Sequence, residues 1–317
     1  MKNKIVIGSR ESRLAVIQSE LVKEYIERKN PLMQVEILTM KTTGDKILNQ
    51  ALEKIGGKGL FVKELDIALL EKRSDLSVHS LKDVPMELPQ QLPLIGFSRR
   101  EDPRDALILP SGRTEIDFSK PIGCSSRRRM LQLKELYPQA HFETIRGNVQ
   151  TRLRKLDEGQ YSATILAVAG LKRLGLENRI SRYFTPEEMI PAAGQAILAV
   201  QGRSGEDYSF LEGCSDKEAE LCARAERSFV RALGGSCSTP VAAYATIEYT
   251  IPEDHAAAEN GLLTLHAFYL NEASGKVHRG KIAGKANAPE QLGKELAERF
   301  LKEDDICLDT ESEMEII

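Results

Sequence analysis

Apolar and polar positions follow two rhythms through the first two thirds of the chain. Short apolar runs predict strands at Lys4–Gly8 and Gln34–Lys41, and a 3.6-residue repeat predicts a helix over Ser12–Lys29 with Leu14, Ile17, Leu21 and Tyr25 on its buried stripe. A helix over Gly59–Lys72 and a strand over Leu76–Val78 continue the order. Strand and helix in alternation mark an α/β layer fold with a largely parallel sheet. After the polar stretch Arg99-Arg100-Glu101-Asp102-Pro103-Arg104 a second series begins. Its expected strands are Asp105–Leu109, Pro121–Ser125, His141–Arg146 and Tyr161–Ala169, and its helices Ser126–Tyr137 and Asn148–Glu158. Two such units joined by a polar hinge predict two lobes around a cleft, where ligands usually bind.

Beyond Pro191 the rhythm changes. Ala196–Gln201 reads as one more buried strand and Asp216–Leu233 as a long helix. Val241–Thr250, Leu262–Leu270 and Lys276–Ala283 then alternate as hairpin strands before a helix over Pro289–Lys302. The expected division is residues 1–98 with 198–214, residues 103–190, and a smaller α+β domain at 219–317.

The 317 residues are 41% apolar and 29% charged, which excludes disordered and collagenous classes. No apolar run approaches the roughly 20 residues of a membrane span, and no signal-peptide core follows Met1, so a cytoplasmic protein is expected. Five cysteines without a CxxC pair and five histidines without metal-like spacing give no reason to assign a disulfide framework or a metal. The net charge of −3 conceals an asymmetry. Residues 99–182 hold 13 Arg and 4 Lys against 10 acidic residues, a local surplus of +7. Arginine presents a planar fork to carboxylate or phosphate, so this region is suited to anions.

The arginines fall at strand-to-helix junctions. Arg10-Glu11-Ser12 closes the first strand and opens the first helix, Ser125-Ser126-Arg127-Arg128-Arg129 repeats the arrangement, and Arg146-Gly147-Asn148 with Arg152 does so again. A helix N-terminus, hydroxyls and guanidinium groups converge at each, which predicts a polyanionic ligand. Gly56-Gly57-Lys58-Gly59 lacks phosphate-loop spacing and reads either as a plain turn or as a loop that closes over a ligand. In His79-Ser80-Leu81-Lys82-Asp83-Val84-Pro85 the chain must leave the sheet before Pro85, with Asp83 either facing the cleft or capping its own turn. Cys237, in a Gly-Ser loop, is expected to be more accessible than Cys222 on a helical stripe.

Several segments, in order along nearly the whole chain, together resemble the porphobilinogen deaminase (hydroxymethylbilane synthase) family. They are Gly57–Leu65, His79–Pro85, Arg100–Ala106, Arg146-Gly147-Asn148 through Leu153, Ile165–Gly175 and the Cys237 loop. The resemblance implies three domains, the first two like periplasmic solute-binding lobes. It implies one dipyrromethane cofactor held by a thioether on Cys237, on which four porphobilinogen molecules are condensed with loss of ammonia before a linear tetrapyrrole is released. Asp83 falls on the family's catalytic aspartate. Ser80, Lys82, Asp83, Cys124, Ser126, Arg128, Arg129 and Arg146 fall on cofactor contacts, and Arg10, Ser12, Lys58, Phe61, Arg146, Arg152, Arg173 and Gln195 on substrate contacts. A monomer with no nucleic-acid or membrane partner is implied. Cys124 and Arg127 stand where the family commonly has Thr and Leu, Arg13 where it often has Pro, and Ala196 and Ser236 where it often has Gly. A two-lobe binding protein or ligand sensor for a polycarboxylate is the competing reading, although it has no use for the Cys237 loop. A nucleic-acid binder fits poorly with no Trp and 5% aromatic residues.

Overall fold

The computed structural model describes residues 3–46, 62–235, 239–249 and 258–314, with side chains as far as Asp304. Lys58, Phe61, Ser236 and Cys237 lie outside the described residues. Two compact units are present, Met1–Met189 with Gln195–Asp216 and Ile190–Gly194 with Lys217–Ile317.

The first unit contains two five-stranded sheets, one to a lobe. The first lobe is built from β1 (Lys4–Arg10), β2 (Gln34–Met40), β3 (Leu76–Ser80), β4 (Leu94–Phe97) and β10 (Leu198–Gln201), in the order β2-β1-β3-β10-β4. The second uses β5 (Asp105–Ile108), β6 (Ile122–Gly123), β7 (Phe142–Glu143), β8 (Ala163–Ala167) and β9 (Arg182–Tyr183), in the order β7-β6-β8-β5-β9. The plan is the same in both. Three parallel strands are followed by one that runs antiparallel to both its neighbours, β10 in the first lobe and β5 in the second. The sheets are therefore mixed rather than largely parallel, because the strand by which the chain crosses into each lobe, β5 or β10, runs against the others.

Period-two burial explains the second lobe. Ala106 and Ile108 of β5 pack on one face with Leu153, Leu156 and Leu171, whereas Leu107 and Leu109 pack on the other with Ile122, Leu133 and Phe184. Helix α1 (Arg13–Lys29) buries Ala15, Gln18, Ser19, Val22 and Ile26, one position on from the expected stripe, and Leu21 is 45% exposed. Two contacts set this rotation. Gln18 Nε2 donates to Ser80 Oγ at 3.0 Å, and Leu14 lies over Gly170 of the other lobe.

Helix α2 spans Lys63–Leu70, α3 Arg127–Leu136, α4 Val149–Asp157 and α5 Val168–Arg173. The expected strand Tyr161–Ala169 ends at Ala167, since Val168 and Ala169 already belong to α5. A buried apolar run does not by itself distinguish strand from helix. The strands expected over Pro121–Ser125 and His141–Arg146 shrink to two residues each. Ala196 adopts φ +72°, which delays β10 until Leu198.

In the second unit β11 (Val241–Glu248), β12 (Leu262–Leu270) and β13 (Val277–Lys285) form an antiparallel sheet. Helices α6 (Lys217–Ala232) and α7 (Pro289–Met314) pack together. Gly293 permits their close approach, because a Cβ there would lie 2.3 Å from the Ala225 carbonyl. Phe229 and Phe300 meet edge to face at 5.6 Å. Helix α7 runs past the expected end at Lys302, and no Gly or Pro follows to stop it. Among the described residues no helix is long and apolar enough to cross a membrane.

Candidate active site

The first lobe contributes a turn. At the end of β3 the chain enters a 3-10 turn, Leu81–Asp83, anchored by Leu81 N–H on the Ile197 carbonyl. His79, at the strand's end, is buried and donates from Nε2 to Gln201 Oε1 at 3.0 Å, while Gln201 Nε2 donates to the Leu92 carbonyl. Burial pushes its imidazole down to about 4, so it sits neutral under the turn. Lys82 points its ammonium at Gln195 Oε1, 3.2 Å away. Desolvation, with Arg129 next in weight, pushes its pKa down to about 8.

The second lobe contributes a buried arginine pair. Ser126 caps α3 but makes no side-chain bond to its own helix, and Arg128 and Arg129 turn inward, 5% and 8% exposed. Arg128 Nη2 donates to Asp105 Oδ2 at 2.8 Å; Arg129 Nη2 donates to Oδ1 of the same carboxylate at 2.7 Å, and its Nη1 to the Ile165 carbonyl at 3.1 Å. Burial opposes the charge on Asp105, yet the two guanidinium groups outweigh it and hold the carboxyl far below the usual range. Gln195 joins the lobes. It accepts from Lys82, and its Nε2 donates to Asp105 Oδ1 at 3.0 Å and to the Pro103 carbonyl at 2.7 Å. Cys124 is buried beside the pair, with its thiol pushed up by desolvation.

Arg152 belongs to the same cluster. Burial, then the fields of Arg129 and Arg146, bring it down to about 10, and its Nε donates to the Gly147 carbonyl at 2.9 Å. Gly147, at φ +117°, makes the bend that starts α4, where Asn148 caps Thr151. Thus Lys82, Asp83, Cys124, Arg128, Arg129, Arg146, Arg152 and Gln195 gather in one place. Arg10 and Ser12 remain on the first lobe, where Arg10 pairs with Asp45 and Ser12 caps α1. Arg173 donates from Nη2 to the Ala196 carbonyl at 3.0 Å.

The family models divide the chain between them. Residues 5–210 match porphobilinogen deaminase, dipyromethane cofactor binding domain, and residues 220–302 match porphobilinogen deaminase, C-terminal domain. The chain belongs to the porphobilinogen deaminase family. It is 53% identical to porphobilinogen deaminase of Alkaliphilus oremlandii over 303 residues, covering 96% of this chain and 98% of the relative. It is 52% identical to that of Ruminiclostridium cellulolyticum over 297 residues, covering 94% and 97%. The protein of the same name from Chromobacterium violaceum is 44% identical over 305 residues, covering 94% of each.

The described residues fit the family's cofactor. A dipyrromethane carries two carboxylates per ring, and here Arg128, Arg129, Arg152 and Lys82 lie together with Asp83 and Asp105 as their nearby acids. Arg129 Nε is buried and has no hydrogen-bond partner, so the donor set holds an unused N–H. Two residues escaped the sequence reading: Asp105, which joins the arginines, and Asp45, which holds Arg10. A lone acid opening the apolar strand Asp105-Ala106-Leu107-Ile108 was the available signal for the first. For Asp45, distant in sequence from Arg10, there was none.

Proposed function

We propose that this chain condenses four porphobilinogen molecules, releasing ammonia at each addition and finally hydroxymethylbilane. The carrying observation is the buried Arg128–Arg129 pair beside Lys82 and Asp83, within residues that match the dipyrromethane-binding domain. When bound, the dipyrromethane supplies the primer to which substrate pyrroles are joined. Cys237 is its thioether anchor, and Ser80, Lys82, Asp83, Cys124, Ser126, Arg128, Arg129 and Arg146 hold it. Arg10, Ser12, Lys58, Phe61, Arg146, Arg152, Arg173 and Gln195 receive substrate carboxylates and ring edges.

Asp83 performs the chemistry. Breaking the C–N bond of the substrate's aminomethyl group leaves a methylene-pyrrole cation, and a fixed carboxylate stabilises that charge as it develops. Lys82, with its lowered pKa, releases a proton near neutral pH more readily than an ordinary lysine. The arginine surplus balances the carboxylates of the growing chain and holds it in register. The same reading divides the chain into domains at 1–98 with 198–214, 103–190 and 219–317, and makes the enzyme a cytoplasmic monomer that binds no nucleic acid.

Intact-mass measurement tests the assignment. The purified protein should weigh more than its sequence by one dipyrromethane and develop colour with an acid aldehyde reagent. Cys237→Ala should fold, carry no added mass and be inactive. An adduct mapped to Cys124, Cys214, Cys222 or Cys307 would overturn the anchor. A bare binding protein would show neither added mass nor colour.

A further inference from the structure

We infer that Asp105 is a positioning residue of this reaction: its carboxylate holds Arg128 and Arg129 as a fixed fork for the ligand's carboxylates and, through Gln195, places Lys82 beside them. The inference rests on the reading above, and three observations carry it. The Asp105 carboxylate is fully buried and receives three side-chain donors, Arg128 Nη2, Arg129 Nη2 and Gln195 Nε2, the last from the strand connection that also meets Lys82. Arg129 is gripped from two directions, by Asp105 and by the Ile165 carbonyl, which fixes the plane of its guanidinium. Its Nε–H is buried and unpartnered. A group held only for stability would not be left with an unsatisfied charged donor, whose burial is costly; one held for an anion would be.

Charge gives the same answer. Arg128, Arg129, Arg152 and Lys82 against Asp105 and Asp83 leave a surplus of two positive charges. Asp105 therefore offsets enough repulsion for the pair to remain buried without cancelling its attraction for an anion. Being a single methylene from its backbone on a strand paired on both sides, it cannot follow the arginines if they move. It sets their place, and they do not set its own.

Two rival roles make different forecasts. A purely structural ion pair would matter for folding but not for loading, and a competitor for the arginines would, once removed, let the ligand bind faster. The test is Asp105→Asn, which keeps the shape and removes the charge. Protein lacking the added mass is incubated with porphobilinogen, and holoenzyme formation is followed by intact mass, alongside thermal melting of the unloaded protein. We expect loading to slow at least tenfold. In the double variant with Arg129→Leu, the loss should remain within about threefold of the worse single variant, because both changes disable one fork. Unchanged loading, faster loading or independent multiplication of the two losses would each overturn the inference.

Should Asp105→Asn not fold, the charge-balanced pair Asp105→Asn with Arg128→Met is compared with Arg128→Met alone. Loading must then fall further, since Arg129 has also lost its hold, and equal loading overturns the inference. Wild-type protein that gains no mass from porphobilinogen overturns the parent reading and this one with it. Wild-type loading with Asp105→Asn unaffected overturns this one alone.

Discussion

The two lobes of the first unit share a strand plan and bring an arginine to a strand end beside a helix start, yet they treat that arginine differently. In the first lobe Arg10 pairs with Asp45 at side-chain exposures of 24% and 22%. In the second, Arg128 and Arg129 share an acid with no exposure at all. A partly exposed pair is screened more by water and separates at smaller cost, whereas a fully buried one is expensive to assemble and more expensive to break. On the proposed function, the first lobe releases its arginine to a passing substrate, and the second keeps Arg128 and Arg129 in place for a group that stays. The turn Leu81–Asp83 comes from the first lobe and the buried arginine pair from the second, so the proposed reaction draws on both copies of one architecture.

The largest expected effect strikes the turn. Asp83→Asn should retain much of the substrate binding but lose about 10²–10³-fold in turnover, the size typical of removing one preorganised electrostatic group. Near-normal single-turnover rates would remove Asp83 from the chemistry and leave the first lobe without its proposed reactive group.

Next in size is the contrast between arginines. Arg128→Leu or Arg129→Leu should lower holoenzyme yield severely, a loss of roughly 2–5 kcal/mol from leaving a carboxylate buried without its partner. The same change at Arg10 should cost about 1 kcal/mol, as befits a partly exposed pair, and should act on KM more than on loading. Equal losses by intact mass would erase the difference between lobes.

Acid separates the lobes by pH. His79 has a folded pKa near 4, below its unfolded value of 6.5, so between these values the unfolded chain takes up a proton that the folded one refuses. Stability therefore falls as pH drops through that window, by about 2–3 kcal/mol near pH 4.5. Asp105 shifts in the same direction, a carboxyl lowered in the fold, but its stabilisation is lost only as pH falls below the ordinary carboxylate range. Melting curves of His79→Gln against wild type should diverge between pH 7 and pH 4.5, and parallel curves would show that His79 is not held neutral beneath the turn.

The smallest expected effect is at Arg127. Consecutive helical residues are turned by about 100°, and of the three arginines opening α3 it is Arg128 and Arg129 that face the core. Arg127→Leu should leave loading and turnover within a few-fold of wild type. If it proves the worst of the three, the assignment of Ser126, Arg128 and Arg129 to the cofactor is out of register.

Much of this was legible in the chain before folding. Periodicity located α1, α3, α4, α6 and the three hairpin strands, because each buries one face and its rhythm survives in the sequence. Junction arginines and the turn around Asp83 were visible because a strand end followed by a helix start is a local pattern. Other features depended on residues that meet only in space. β5 and β10 run against their sheets at the points where the chain crosses from one lobe into the other, and the rotation of α1 follows from Gln18 reaching Ser80. Arg128 and Arg129 could be read as a pair for anions, but not as a pair already sharing one. The carboxylate that fixes them lies 23 and 24 residues away on another element, and electrostatic partnership depends on distance and burial, which local sequence does not encode.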